Sequence, residues 1–432
     1  MRIGKTWRSI VIWSIISSAF IGPGSVTTAV AAGSHYNLDL MWAVTFSIAA
    51  CIALQEVAAR LTIASGLNVG QALTKLFGDR KGRYLQWFLG IGVIGGCAAY
   101  EAGNIVGAVA GIQLMTGTGA ILATTLVTSA CFVVLWNNNP SWIFNLMASL
   151  VALMAVAFCA VAATQHFPLG YALRASILPV IPEGSHLTIL ALFGTTIVPY
   201  NIFLGSGISK GQTVPMMRVG LIISILIGGI ITAAILMAGT TITDFSSFGN
   251  LYTELEHRVG KLGAAAFALG LFGAAFGSAI TSPFAASVIT RTVFEVKNEG
   301  ITKLVWMFVL LTGFVIGISG LKPIPVIVVV QAVNGFILPF MVIFLILVIN
   351  DPAITPREFM HGWFHNTLLL IALWGFCMMS MQNINKSLTQ ALQITSGNHL
   401  ILSATVSTLV TLATAFAISR KLKGSSANGI NV

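Results

Sequence analysis

The sequence predicts an all-α integral membrane protein of about twelve spans, two of them interrupted near their middle. Three observations predict it. Of 432 residues, 56% are hydrophobic and 8% charged, too few charges to cover a soluble surface of that size. Apolar stretches long enough to cross roughly 30 Å of hydrocarbon recur along the chain. Proline-centred breaks sit inside two of them, Gly22-Pro23-Gly24-Ser25 in the first and Thr195-Thr196-Ile197-Val198-Pro199-Tyr200 in the sixth.

In chain order the spans are expected near residues 8–33, 40–62, 84–112, 118–136, 142–163, 187–208, 215–238, 262–292, 302–320, 324–349, 365–382 and 399–418. The stretch after Arg2, Lys5 and Arg8 runs on through the first break without a small-residue cleavage site, so it reads as a true span and not a cleaved signal. The gaps near 164–186 and 239–261 are expected to be loops carrying at most a short surface helix. The whole chain, 1–432, is then one membrane domain, divided into a first half (8–163), a second half (187–349) and two added spans (365–418).

Assigning loops alternately to the two sides, with the N-terminus inside, puts all of the 22 Lys and Arg on the cytoplasmic face except Arg174, Arg258, Lys261, Lys322 and Lys386. That asymmetry predicts cytoplasmic termini in a cell (inner) membrane. It also accounts for the net charge of +10 through anionic lipid, without nucleic acid. Cys51, Cys97, Cys131, Cys159 and Cys377 all lie in apolar runs without paired spacing, which suits reduced packing residues and neither a disulfide frame nor a metal cluster.

A broken helix in a bilayer is tolerated where its freed backbone groups face protein, water or a solute. Matched breaks in two halves of a chain are the usual mark of a secondary transporter. Glycine on both sides of Pro23 leaves amides and carbonyls without helical partners. The amides of Gly24, Ser25 and Val26 would open a half-helix whose positive end favours an anion. In the sixth span, Pro199 should leave the carbonyls of Thr195 and Thr196 exposed, which suits a cation or an ammonium.

The motifs resemble those of the Nramp divalent-metal transporters. Gly22-Pro23-Gly24-Ser25 followed by Leu40-Met41-Trp42 is similar to that family's Asp-Pro-Gly-Asn and its following Leu-Leu-Trp. Leu54-Gln55-Glu56-Val57-Ala58-Ala59-Arg60-Leu61 resembles its second span, and Gly194-Thr195-Thr196-Ile197-Val198-Pro199-Tyr200 its sixth-span Met-Pro-His motif. Phe276-Gly277-Ser278-Ala279-Ile280-Thr281 and Gln331-Ala332-Val333-Asn334-Gly335 follow its eighth and tenth spans. The resemblance implies the leucine-transporter fold: two inverted five-span repeats with the first and sixth helices unwound around a midplane site, plus two further spans.

The departures are as informative. The family's metal-binding Asp falls on Gly22, its Asn on Ser25, its Met on Val198 and its His on Tyr200. Selecting a transition metal needs carboxylate charge and soft or imidazole donors. None of the seven histidines lies in the middle of a span. What remains is amides, carbonyls and hydroxyls with no fixed charge, complementary to a zwitterion such as an amino acid. In that expectation Gly22, Pro23, Gly24, Ser25 and Thr27 hold the anionic end, while Thr195, Val198 and Tyr200 meet the cationic end and side chain. Gln331 and Asn334 line the tenth-span wall.

For coupling, Glu101 is the carboxylate deep within a span, because Glu56 lies near the cytoplasmic end of its own and can pair with Arg60 at i+4. An acid so placed is a candidate proton acceptor. The resemblance implies the same role, since the position matches a third-span Nramp aspartate linked to proton movement. Residues 304–319, however, hold no arginine to partner it. Thr281 and Ser282 on the eighth span are the competing expectation, a sodium site built against carbonyls of the broken first span. His361 and His365, at i and i+4, could chelate a metal but are expected to anchor an interfacial stretch.

The sequence thus predicts a secondary active transporter importing a small organic solute with H⁺ or Na⁺ by alternating access. No enzyme chemistry, cofactor or obligatory protein partner is expected. Two rivals stand beside it: a divalent-metal transporter for Mg²⁺ or Mn²⁺ with an altered site, and a transport-inactive membrane sensor.

Overall fold

The computed structural model describes residues 2–137, 139–163, 168–243, 245, 247–321, 338–392 and 399–427. Among them the chain is helical throughout. The first span is broken as expected: α1 (Arg2–Phe20) and α2 (Pro23–Tyr36) meet at a bend of 62°. The sixth is broken likewise, into α9 (His186–Thr196) and α10 (Pro199–Ser209). Both breaks use the same local chemistry. An extended residue caps each second half, Gly22 at φ −111° and Val198 at φ −97°, and a proline occupies its first turn, where a missing N–H costs nothing.

Between the breaks run α3 (Met41–Ser65), α4 (Val69–Phe77), α5 (Asp79–Thr116), α6 (Ala120–Trp136), α7 (Pro140–Ala163) and α8 (Leu169–Ile177). After the second come α11 (Val214–Gly239), α12 (Phe248–Thr292), α13 (Glu299–Ile318), α14 (Leu338–Ile349), α15 (Trp363–Leu392) and α16 (His399–Ala427). Nine of these stretches are long and apolar enough to span a membrane, ten with the bent first pair, and Ala120–Trp136 and Leu338–Ile349 are shorter apolar helices. The expected surface helices exist. One is α8, and the other is the start of α12, which turns at Gly260, where φ of +82° favours glycine.

The expected ends were short for several spans, because α5, α15 and α16 continue past their apolar stretches on polar residues. The expected tenth span is described only from Leu338, so Gln331 and Asn334 lie outside the described residues.

The breaks sit in the core. α1 is pinned along α11: the Ser9 hydroxyl donates to Met216 O at 2.8 Å, the buried Trp13 indole to Gln212 Oε1 at 3.2 Å, and the Ser17 hydroxyl to Ser224 O. α2 crosses the same helix where a Cβ on Gly33 would strike the Leu236 carbonyl, and one on Gly239 would lie 2.6 Å from the Val30 carbonyl. Only glycine allows that approach. α5 runs along α12 behind both breaks. The outermost helices, α13 and α16, turn Leu304, Phe308, Leu311, Leu409 and Phe416 outward, as a lipid-facing surface requires. All five cysteines are free thiols, four of them buried, as their apolar settings predicted.

Candidate functional site

The half-helix α1 ends in a cluster of carbonyls. The Ser25 hydroxyl turns back to donate to Phe20 O. Tyr200, the second residue of α10, donates its hydroxyl to Ala19 O at 3.3 Å and thereby ties the second break to the first. Ser278 on α12 places its Oγ 2.9 Å from Ser18 O, 3.4 Å from Ala19 O and 3.5 Å from Ile21 O. One hydroxyl proton serves one carbonyl, so the end of α1 carries more acceptors than donors. The second break adds to this. The helical partner of the Thr195 carbonyl would be the amide of residue 199, and Pro199 has none. The negative ends of two half-helices thus meet at one level of the bundle.

The donors expected to hold an anion are differently employed. Thr27 donates its hydroxyl to Pro23 O at 2.7 Å, and Ser25 to Phe20 O, while the Val26 amide closes a helical turn on Gly22 O at 3.1 Å. Thr195 and Thr196 likewise turn their hydroxyls back on Leu192 O, at 3.2 and 2.9 Å. Val198 and Tyr200 are buried at the break.

Glycine at position 22 leaves no open space. A Cβ there would lie 2.9 Å from Ser278 Oγ and 3.5 Å from Asn104 Oδ1, so α12 and α5 have closed over the vacated space. On the neighbouring side Gly107 of α5 packs on the Pro23 ring. Ser278 and Asn104 therefore belong to the site, and their signal in the sequence was indirect: a missing side chain must be answered by something opposite it.

The hydroxyls expected to build a sodium site, Thr281 and Ser282, are engaged with neighbouring groups. Thr281 donates to Gly277 O at 2.8 Å within its own helix and lies 3.4 Å from Met147 Sδ, while Ser282 donates to Cys97 O on α5 at 2.7 Å. At i+3 and i+4 from Ser278, both share its face of α12, and Ser278, one turn earlier, is the hydroxyl level with the carbonyl end of α1.

Glu101 is fully buried on α5, one turn before Asn104, and neither carboxylate oxygen has a hydrogen-bond partner among the described residues. Its Cγ packs under Gly313 of α13, where a Cβ would approach to 2.8 Å. The adjacent Tyr100 ring meets Tyr200 edge-on at 5.7 Å, which sets this face of α5 against the second break. Two further buried polar residues extend the polar seam: among the described residues, both side-chain heteroatoms of Asn201 on α10 and Oε1 of Gln55 on α3 are unpartnered. Gln55 Oε1 fills the space beside Gly205, one turn beyond Asn201.

Natural resistance-associated macrophage protein-like sequences match this chain over residues 14–389. The chain belongs to the Nramp family. A divalent metal cation transporter, MntH of Erwinia tasmaniensis, is 22% identical over 389 residues, covering 85% of this chain and 93% of the relative. Among solved structures, a mutant of the Eremococcus coleocola manganese transporter superposes with a TM-score of 0.76 at 18% identity, covering 96% of this chain and 95% of the other. MhsT in complex with L-phenylalanine superposes with a TM-score of 0.57 at 17% identity, covering 92% and 98%. The fold is the leucine-transporter fold, and the chain is a multi-pass membrane transporter of the Nramp family. Among the described residues, no group of three or more His, Cys, Asp or Glu side chains that could hold a metal occurs. The amino-acid expectation gains nothing from these relatives, and the side chains meant to hold a carboxylate give their protons to carbonyls.

Proposed function

We propose that this Nramp member carries a hard divalent cation, Mg²⁺ or Mn²⁺, held as a partly hydrated ion between the two breaks. The observation that carries the reading is the cluster of carbonyl acceptors at the end of α1, where Ser18 and Ile21 share the Ser278 hydroxyl and Ala19 accepts from Tyr200 as well. Oxygen donors suit hard cations, and Mg²⁺ in particular keeps several waters and needs few protein ligands. Relatives named as divalent metal and manganese transporters support the same class. Val198 and Tyr200, in place of the family's Met and His, remove the soft and imidazole donors, so the site should discriminate against thiophilic ions.

A dication near the bilayer midplane needs a counter-charge. Glu101 supplies a carboxylate within the bundle, and its exchange between protonated and ionised forms would couple cation and proton movements. With the basic face inside, the direction is inward by alternating access, and no bond is made or broken.

Proteoliposomes containing the purified protein test the proposal. Mg²⁺ or Mn²⁺ should accumulate under an inward proton gradient, Cd²⁺ should compete poorly, and labelled amino acids should stay out. Accumulation of an amino acid without divalent cation would overturn the reading, and accumulation of nothing under proton or sodium gradients would favour the sensor.

A further inference from the structure

At the end of the bundle that holds the N-terminus lies a second charged cluster that cation transport does not use. Glu56 of α3 accepts Arg60 Nε at 2.9 Å, and Arg218 Nε of α11 at 2.9 Å on the same oxygen. His361, in the segment before α15, meets the other oxygen through Nε2 at 3.0 Å. Arg60 is spent on Glu56 and on the Phe359 carbonyl, 3.2 Å away. His361, expected to anchor an interfacial stretch, is buried: its side chain is 2% exposed, and its Nδ1 has no partner among the described residues.

Beside this cluster a cavity of about 350 Å³ opens between α3, α11 and α15. One end is lined by Glu56, Arg218, His361 and His365, the last with its ring 5.0 Å from that of His361. The remaining wall is aliphatic, with Ile52, Ile222, Leu368 and Leu369. The mouth faces outward from the bundle, since Ile222 and Phe364 are 38% and 64% exposed.

The charges do not balance. Two arginines answer one carboxylate, and Arg218, with a side chain 43% exposed, keeps both terminal amino groups of its guanidinium clear of Glu56. A guanidinium with free forked donors is matched to a phosphate. An aliphatic wall running from that charge towards the hydrocarbon is matched to an acyl chain. A hydrated cation would meet net positive charge here, and a free phosphate would leave the apolar wall uncovered.

We infer that this cavity binds an anionic phospholipid from the leaflet on the basic face, its phosphate on the outward amino groups of Arg218, with one acyl chain along Ile222 and Leu368. The site clamps α3 of the first half to α11 of the second through a lipid, which would make the resting arrangement of the two halves sensitive to headgroup charge.

Native mass spectrometry of the purified full-length protein tests this, with phosphatidylglycerol and phosphatidylcholine of identical chains as probes. Wild type should retain phosphatidylglycerol about fivefold better, as one arginine near an anionic headgroup provides. Arg218→Gln should abolish the preference and Arg218→Lys should keep most of it. Ile222→Trp, which fills the groove and leaves the ion pairs intact, should reduce retention of the tightly held lipid, so the inference stays testable if Arg218→Gln does not fold. Equal retention of the two lipids by wild type, an unchanged preference in Arg218→Gln, or displacement of the lipid by soluble glycerol phosphate at matched concentration would each overturn it.

Discussion

Gly22 and Ser278 stand so close that a Cβ on the first would lie 2.9 Å from the hydroxyl of the second, a hydroxyl already bonded to Ser18 O at 2.9 Å. The pocket has thus been rebuilt around the absence of a side chain, and the two positions are coupled. Gly22→Ala should cost about 1–3 kcal/mol, the usual range for overpacking, and Ser278→Ala should recover most of that loss. The pair Gly22→Asp with Ser278→Ala returns a carboxylate to a relieved site. Isothermal titration should then show Mn²⁺ bound at least about tenfold more tightly than by wild type. Unchanged Mn²⁺ affinity would mean that Gly22 does not border the cation.

Glu101 is fully buried with both oxygens unpartnered among the described residues, so a neutral isostere breaks no ion pair there. Replacing it with the neutral isostere Glu101→Gln should leave the melting temperature unchanged or raise it, while uptake loses its dependence on a pH gradient. The two readouts separate function from packing. A fall in melting temperature of several degrees would reveal a partner that holds the ionised form.

Much of this arrangement was legible in the sequence because proline acts locally. Pro23 and Pro199 break their helices whatever packs around them, and a lone carboxylate in an apolar span stands out at Glu101. What could not be read was which level of a helix meets which neighbour. Thr281 and Ser282 attracted attention as adjacent hydroxyls, yet Ser278, on the same face one turn earlier, is the one level with the carbonyl end of α1. The burial of His361 was equally hidden, since it depends on a connection folding back onto Glu56 across a long stretch of chain. Gln331 and Asn334, outside the described residues, stay as sequence expectations.

Pro199 keeps the Thr195 carbonyl without a helical donor. Pro199→Ala supplies the missing amide and lets α9 continue into α10. The variant should be at least as stable as wild type but transport at least about tenfold more slowly, a barrier increase of about 1.4 kcal/mol. Initial uptake rates at saturating cation, set beside a thermal melt, check both halves of the expectation. A variant that transports normally would show that the break is a packing kink and not part of the cation path.

Among the described residues, Glu56 is the single carboxylate paired with Arg60, Arg218 and His361, and its side chain is 10% exposed. Removing one member of a buried charged network leaves the others uncompensated, which costs roughly 3–5 kcal/mol. Glu56→Gln should therefore be strongly destabilising, in contrast to Glu101→Gln, although both delete one carboxylate from a span. Arg218→Gln should be milder, because Arg218 is half exposed and Arg60 still answers Glu56. His361→Gln should fall between them if its amide reproduces the bond to Glu56. Thermal melts of the four variants in one detergent rank them, and equal losses for Glu56→Gln and Glu101→Gln would show that the network at the basic end does not hold the two halves together.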